Sequence, residues 1–248
     1  MPGSDQSGAS AMGASIVIGA RGGIGAALVA RLAARPDAGP VLALSRTPPE
    51  TLPPGVAWAP IDLGDEASIA AAASTELGAP LERVLVATGR LEVLGRPPEK
   101  SWRHLEAETL MAAFADNAVG PALVAKHFLP RLPRDRRSVF AALSARVGSI
   151  EDNRLGGWYG YRASKAALNQ LIHTLAIELA RQRPQAICVA LHPGTVDTGL
   201  SAPFQGGVSA EKLFTPDFAA ERLLSVLDGL GPADSGGFFA WDGTPIPW

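Results

Sequence analysis

Residues 14–32 read Ala14-Ser-Ile-Val-Ile-Gly-Ala-Arg-Gly-Gly-Ile-Gly-Ala-Ala-Leu-Val-Ala-Arg-Leu32. The opening run is short, apolar and rich in β-branched residues, which predicts a strand buried on both faces. The closing run, Ala26–Leu32, is made of strong helix formers. Between them, Gly19-Ala-Arg-Gly-Gly-Ile-Gly25 places glycines at 19, 23 and 25. Glycine there permits a tight turn, close approach of the backbone to a pyrophosphate and close packing of helix on strand, while the helix N-terminus offers unpaired N–H groups to the anion. A glycine cluster alone is a weak signal and fits a plain turn equally well; the strand before it and the helix after it favour nucleotide binding.

Working outward, the same alternation continues to the end of the chain. Strands are predicted near 14–19, 40–45, 56–61, 83–88, 137–143, 186–191 and 237–241, with helices at 23–35, 65–77, 106–131, 158–182 and 216–229. Alternating βα units imply a Rossmann-type, doubly wound parallel sheet of about seven strands with helices on both faces, a three-layer α/β/α fold. Arg46–Gly55 carries four prolines in ten residues, too many for a helix interior, so this crossover is read as a loop. No repeat or composition shift marks a second unit, and the expected organisation is a flexible Gly/Ser-rich tail at 1–12 and one domain over 13–248.

Composition excludes several classes of function. A formal charge of −2 with no block of like charges argues against nucleic acid. No apolar run reaches the roughly 20 residues of a membrane span, and the start lacks a basic and an apolar signal region, so a cytoplasmic protein with no membrane partner is expected. The one cysteine, Cys188, sits in an apolar run and reads as core. His104, His127, His173 and His192 show no metal-ligand spacing, so no metal is expected.

The end of the second predicted strand bears on which dinucleotide binds. A free ribose 2′-OH is usually met by an acid about 20 residues after the glycines, but the chain reads Leu44-Ser45-Arg46 there. Arg46, with Arg21 from the glycine turn, is suited to charge-assisted bonds to a 2′-phosphate, which favours NADP(H) over NAD(H); two solvated arginines are the plainer alternative.

Tyr159 and Tyr161 are the only tyrosines. Tyr161 and Lys165 are four apart, hence neighbours on one helix face, whereas Tyr159 is six from Lys165. A phenol near pKa 10 is a poor acid–base catalyst at neutral pH, and an adjacent ammonium is expected to move it down toward the working range. By itself a Tyr/Lys pair at this spacing is common surface decoration.

Together, "GARGGIG" after the first strand and "YRASK" on the long helix resemble the Gly-x3-Gly-x-Gly and Tyr-x3-Lys motifs of the short-chain dehydrogenase/reductase family, in the right order and at about the right separation. The resemblance spans essentially everything after residue 13. Through "LSARVGSIEDNRLGGWYGYRASKAALNQL" and "GGFFAWDGTPIPW" it is greatest to the C-factor-type, cell-signalling-associated members. It implies Ser144, Tyr161, Lys165 and Asn117 as catalytic residues: Ser144 hydrogen-bonding the substrate oxygen, Tyr161 donating the proton, Lys165 also binding the nicotinamide ribose, and Asn117 holding a water for proton relay. It implies cofactor contacts at Gly19, Arg21, Gly23, Ile24, Gly25, Arg46, Asp62, Leu63, Gly89, Tyr161, Lys165, Pro193, Gly194, Val196 and Thr198. It further implies a small carbonyl or alcohol substrate, and a homodimer or homotetramer formed through the helices near 106–131 and 158–182.

Two departures from the family pattern stand out. Its Asn-Asn-Ala-Gly after the fourth strand is Val86-Ala87-Thr88-Gly89 here, which loses the asparagines that brace the central strand. The Ser144-to-Tyr161 interval is long, so an insertion at about 149–156 is expected to bulge beside the substrate pocket. The segment 199–215, with Pro203, Gly206 and Gly207, matches the family's substrate loop, an ordinary surface loop being equally plausible. Two functions follow: an NADP-dependent oxidoreductase acting on a carbonyl or secondary alcohol by a Ser-Tyr-Lys mechanism, or a nucleotide-binding signalling protein of the same fold with little turnover.

Overall fold

The computed structural model describes residues 13–203 and 210–248. The N-terminal tail expected at 1–12, and Gly206 and Gly207 of the expected substrate loop, lie outside the described residues.

All seven predicted strands form, each within two or three residues of its expected ends: β1 (Ala14–Ile18), β2 (Val41–Ser45), β3 (Ala57–Pro60), β4 (Leu81–Val86), β5 (Ser138–Leu143), β6 (Ala186–His192) and β9 (Phe238–Ala240). They make one fully parallel sheet in the order β3-β2-β1-β4-β5-β6-β9. Two short additional strands, β7 (Thr195–Val196) and β8 (Leu213–Phe214), pair with each other beyond the end of β6.

The burial pattern explains why β1, β2 and β5 read as continuous apolar runs rather than alternating ones: both faces of the sheet are covered. On one face Ile16, Ile18, Leu42, Leu44, Phe140 and Cys188 pack against helices α2 (Glu66–Ala73), α4 (Gly120–Phe128) and α5 (Tyr159–Gln182). On the other, Val17, Ala43, Val139 and Val189 pack against α1 (Gly23–Ala33) and α6 (Pro216–Gly229). Phe128 and Phe140 are wholly buried, and each such side chain contributes about 1.5–3 kcal/mol. The Arg46–Gly55 stretch is a loop, as its prolines require. Asp65 caps α2 by accepting a bond from the Ala67 N–H at 2.9 Å.

The predicted helix at 106–131 is not continuous. It is α3 (Ala107–Phe114), then a π-helical turn over Ala115–Val119, then α4. Pro121 has no N–H to give the carbonyl four residues back, and the Gly120 N–H bonds instead to Ala115 O. The irregular turn carries Asn117, and π-bulges of this kind concentrate at functional sites.

The chain runs outward from β1 to β3, then crosses back to start β4 on the other side of β1. That reversal opens a crevice at the C-terminal ends of β1 and β4, the place where open α/β sheets bind ligands.

Candidate active site

Two adjoining clefts of about 390 Å³ each occupy this crevice and share Arg21, Gly22, Ala87, Thr88 and Gly89, so they run together as one groove. The glycine turn forms its floor. Gly19 has φ +88°, a left-handed conformation, and a Cβ on Gly25 would lie 2.1 Å from Gly19 O. Helix α1 begins after Gly22, which offers no side-chain cap to its first N–H groups, and Gly22, Gly23 and Ile24 line the groove. Thr88 Oγ1, in the wall common to both clefts, is buried with no hydrogen-bond partner among the described residues. A bare backbone cradle, an orphaned hydroxyl and room in two linked compartments fit a dinucleotide.

In the first cleft, Arg46, Thr47, Asp62 and Leu63 converge beyond Gly19. Arg21 donates to Thr47 Oγ1 at 3.2 Å. Arg46 is exposed and its guanidinium has no partner among the described residues. Ser45, between them in sequence, is buried and engaged elsewhere, accepting from Trp58 Nε1 at 3.0 Å and donating to Thr47 O at 2.7 Å.

The second cleft brings together Ser144, Tyr161, Lys165, Pro193 and Thr198 with Gly23 and Ile24. Gly23 passes so near Thr198 that a Cβ would lie 2.7 Å from its Cγ2. Three expected contacts do not line the groove. Gly25 lies beneath the turn; Gly194, at φ +80°, packs under Phe214; Val196 is buried in β7 against β8.

The Tyr/Lys face of α5 closes the catalytic corner. Lys165 is buried, and its ammonium donates to Leu143 O at 2.8 Å and lies 5.9 Å from the centroid of the Tyr161 ring. Burial pushes the Tyr161 phenol up to about 12 and the Lys165 ammonium down to about 8. The expectation of a lowered phenol pKa is thus corrected: burial raises the phenol, and the ammonium's hydrogen bond goes to a backbone carbonyl.

Asn117 is wholly buried in the π-helical turn. Its Oδ1 accepts from Arg90 N and its Nδ2 donates to Arg90 O, both at 2.8 Å, and Nδ2 also lies 3.2 Å from Ser164 Oγ. The side chain therefore clasps the backbone just after β4. This clasp supplies a brace to the strand end where Val86-Ala87-Thr88-Gly89 has no asparagine. It also sets Gly89 so close that a Cβ would lie 3.3 Å from Lys165 Nζ.

Two side chains escaped the sequence reading. Ser144 Oγ donates to Asn169 Oδ1 at 2.6 Å, both groups being buried; the signal was present, since Asn169 continues the Tyr161, Lys165 spacing by four more residues. Glu99 gave no signal at all. Its carboxylate accepts from Gly160 N at 3.0 Å and its carbonyl from Trp158 N at 2.5 Å, capping α5 from 61 positions away. Trp158 itself is left-handed, φ +54°, and offers α5 no side-chain cap. Tyr161 also walls a separate cavity of about 460 Å³, lined by Leu91, Val93, Pro97, Glu99 and Ala113 among others.

The insertion at 149–156 does not line the catalytic cleft. It is tied down instead: Glu151 N donates to Trp248 O at 2.8 Å, Arg146 pairs with Asp152 at 2.6 Å, and Arg162 Nε donates to Gly156 O at 3.2 Å.

A parallel seven-stranded nucleotide fold whose groove ends on a Ser-Tyr-Lys corner defines a class of nicotinamide oxidoreductases, and comparison with known proteins agrees. The family model for short chain dehydrogenases matches residues 14–207, and the chain belongs to that family. It is 39% identical over 136 residues to the C-signal protein of Myxococcus xanthus, covering 54% of this chain and 76% of that one. It is 36% identical over 132 residues to the 1-hydroxy-2-glutathionyl-2-methyl-3-butene dehydrogenase of a Rhodococcus species, covering 53% of this chain and 55% of the enzyme. Among solved structures, the NADPH-bound carbonyl reductase from chicken fatty liver superposes with a TM-score of 0.83 at 27% identity, over 96% of this chain and 99% of the other. No helix among the described residues is long and apolar enough to cross a membrane.

Proposed function

We propose that the protein is an NADP(H)-dependent carbonyl reductase or alcohol dehydrogenase working through Ser144, Tyr161 and Lys165. The observation that carries this reading is the convergence of those three side chains in a cleft that shares five residues with the dinucleotide compartment. The NADPH-bound carbonyl reductase at 27% identity supports both the cofactor and the substrate class.

Gly19, Gly22 and Gly23 would take the pyrophosphate, Arg21 and Arg46 the 2′-phosphate, Asp62 and Leu63 the adenine side, and Lys165 the nicotinamide ribose. When bound, the reduced nicotinamide supplies a hydride to a carbonyl carbon. Tyr161 gives its phenolic proton to the oxygen as the carbonyl becomes an alkoxide, and Ser144 hydrogen-bonds the same oxygen. Lys165 stabilises the phenolate left behind until it is reprotonated. A phenol held at about 12 is fully protonated at neutral pH, the form needed for reduction. The reverse reaction needs phenolate and is favoured only as pH rises toward that value.

An intact Ser144, Tyr161, Lys165 and Asn117 set weighs against a nucleotide sensor with little turnover, which has no chemical use for all four. The cytoplasm is the compartment this reading implies. Met111, Val119 and Ile177, exposed on the helical layer made by α3, α4 and α5, support a second copy docking there. The test is NADPH consumption over a panel of aldehydes, ketones and quinones, with NADH in parallel. Turnover that persists in Tyr161→Phe refutes the mechanism, and tighter NADH than NADPH binding refutes the cofactor assignment.

A further inference from the structure

We infer that Asn169 is a positioning residue that holds the Ser144 hydroxyl and so sets where its single proton points. This rests on the Ser-Tyr-Lys reading above and adds to it a residue that lines neither cleft.

The face of α5 that carries Tyr161 and Lys165 reaches Asn169 one turn further on, at the same spacing of four. There it is flanked by Leu168 and Ile172, both fully buried core side chains. A primary amide in such surroundings costs stability unless its groups are satisfied. Asn169 meets this by bridging the two ends of the turn that follows β5: Oδ1 accepts from Ser144 Oγ at 2.6 Å, and Nδ2 faces Gly148 O at 3.4 Å. Turned the other way, the amide would set its oxygen against the Gly148 carbonyl, so the bridge has one orientation. The same turn is gripped from the same helix by Lys165, whose ammonium bonds Leu143 O at 2.8 Å and whose Cβ leaves no room for a side chain on Gly148. Strand end and helix are thus locked at Leu143, Ser144 and Gly148 by two residues of one helix face.

The chemical consequence concerns Ser144. A hydroxyl has one proton and two lone pairs. With the proton given to Asn169, the oxygen is held in one rotamer and keeps its lone pairs for other donors, in the cleft that Ser144 lines together with Tyr161. A carbonyl oxygen entering the cleft recruits the Ser144 proton away from Asn169, so the donor arrives from a defined place instead of from a freely rotating side chain. Asparagine supplies both the acceptor for Ser144 and the donor toward Gly148; leucine of similar volume supplies neither.

The test is a double-mutant cycle on kcat/KM with Ser144→Ala and Asn169→Leu in the NADPH-loaded enzyme, alongside NADPH affinity by tryptophan quenching. The expected result is a loss of about tenfold or more in kcat for Asn169→Leu, little change in NADPH affinity, and a double variant no worse than Ser144→Ala alone. Losses that multiply across the two sites would show that Asn169 supports the fold without acting through Ser144, and would overturn the inference. Full turnover in Asn169→Leu would do the same. Full turnover in Ser144→Ala would instead sink the Ser-Tyr-Lys reading, and the inference with it. Asn169→Asp provides the check against simple misfolding: its protonated carboxyl mimics the amide, so turnover should recover as pH falls, a limb absent from the parent enzyme. A pH profile parallel to the parent would count against the proposal.

Discussion

The glycine turn floors both clefts of the groove, the candidate catalytic corner closes one of them, and the two are built in opposite ways. The turn is local: seven consecutive residues, Gly19–Gly25, fold back so that Gly25 packs on Gly19. The corner is assembled from afar. Lys165 bonds Leu143 across 22 positions, Ser144 bonds Asn169 across 25, Asn117 clasps Arg90 across 27 and Glu99 caps the Tyr161 helix across 61. The first is specified by absence of side chains, the second by side chains that meet only after the sheet forms. A site of the first kind fails when atoms are added, and one of the second kind fails when they are removed.

The largest effect should separate the turn from the corner completely. Tyr161→Phe deletes the proposed proton donor and should cut turnover by roughly 10²–10⁴-fold while leaving NADPH affinity intact, as stopped-flow reduction and fluorescence titration would show. Loss of affinity in step with turnover would mean that corner and turn are not separable. Next comes Gly25→Ala, whose Cβ would sit 2.1 Å from a backbone oxygen. It should cost about 1–3 kcal/mol by thermal unfolding and weaken NADPH binding, without changing the chemical step once the cofactor is saturating.

A smaller effect is expected from Arg46→Ala. Removing one charge-assisted contact should raise the NADPH dissociation constant by about tenfold and leave NADH nearly unaffected. Equal losses for the two cofactors would place the 2′-phosphate elsewhere. The smallest is Glu99→Ala. Loss of a cap costs about 0.5–2 kcal/mol, and it should appear as a lower melting temperature and a modest drop in kcat. Glu99→Gln, which keeps an acceptor for Gly160 N, should restore most of both. Failure of that rescue would assign Glu99 an electrostatic role instead.

The order of strands and helices was legible because it follows from hydrophobic periodicity along the chain. The uncapped glycine turn was equally legible, as was the pairing of Tyr161 with Lys165. The break at Asn117 was foreshadowed by Pro121, whose missing N–H is a property of the residue itself, yet the predicted helix ran straight through it. Glu99 lay in an unremarkable Pro-Pro-Glu-Lys stretch. Nothing local distinguishes a carboxylate bound for solvent from one that will cap a helix 61 residues later.

By itself, the sequence determined the parallel sheet, the glycine turn between β1 and α1 and the face carrying Tyr161 and Lys165. Each depends on covalent spacing and on which atoms a residue has. The tertiary structure alone decided that the phenol is pushed up to about 12, that Ser144 gives its proton to Asn169, and that the insertion at 149–156 is tied to Trp248 and not to the cleft. The physical reason is common to all three: desolvation and hydrogen bonding depend on what surrounds a group in space, and the surroundings of this corner come from four distant segments of the chain.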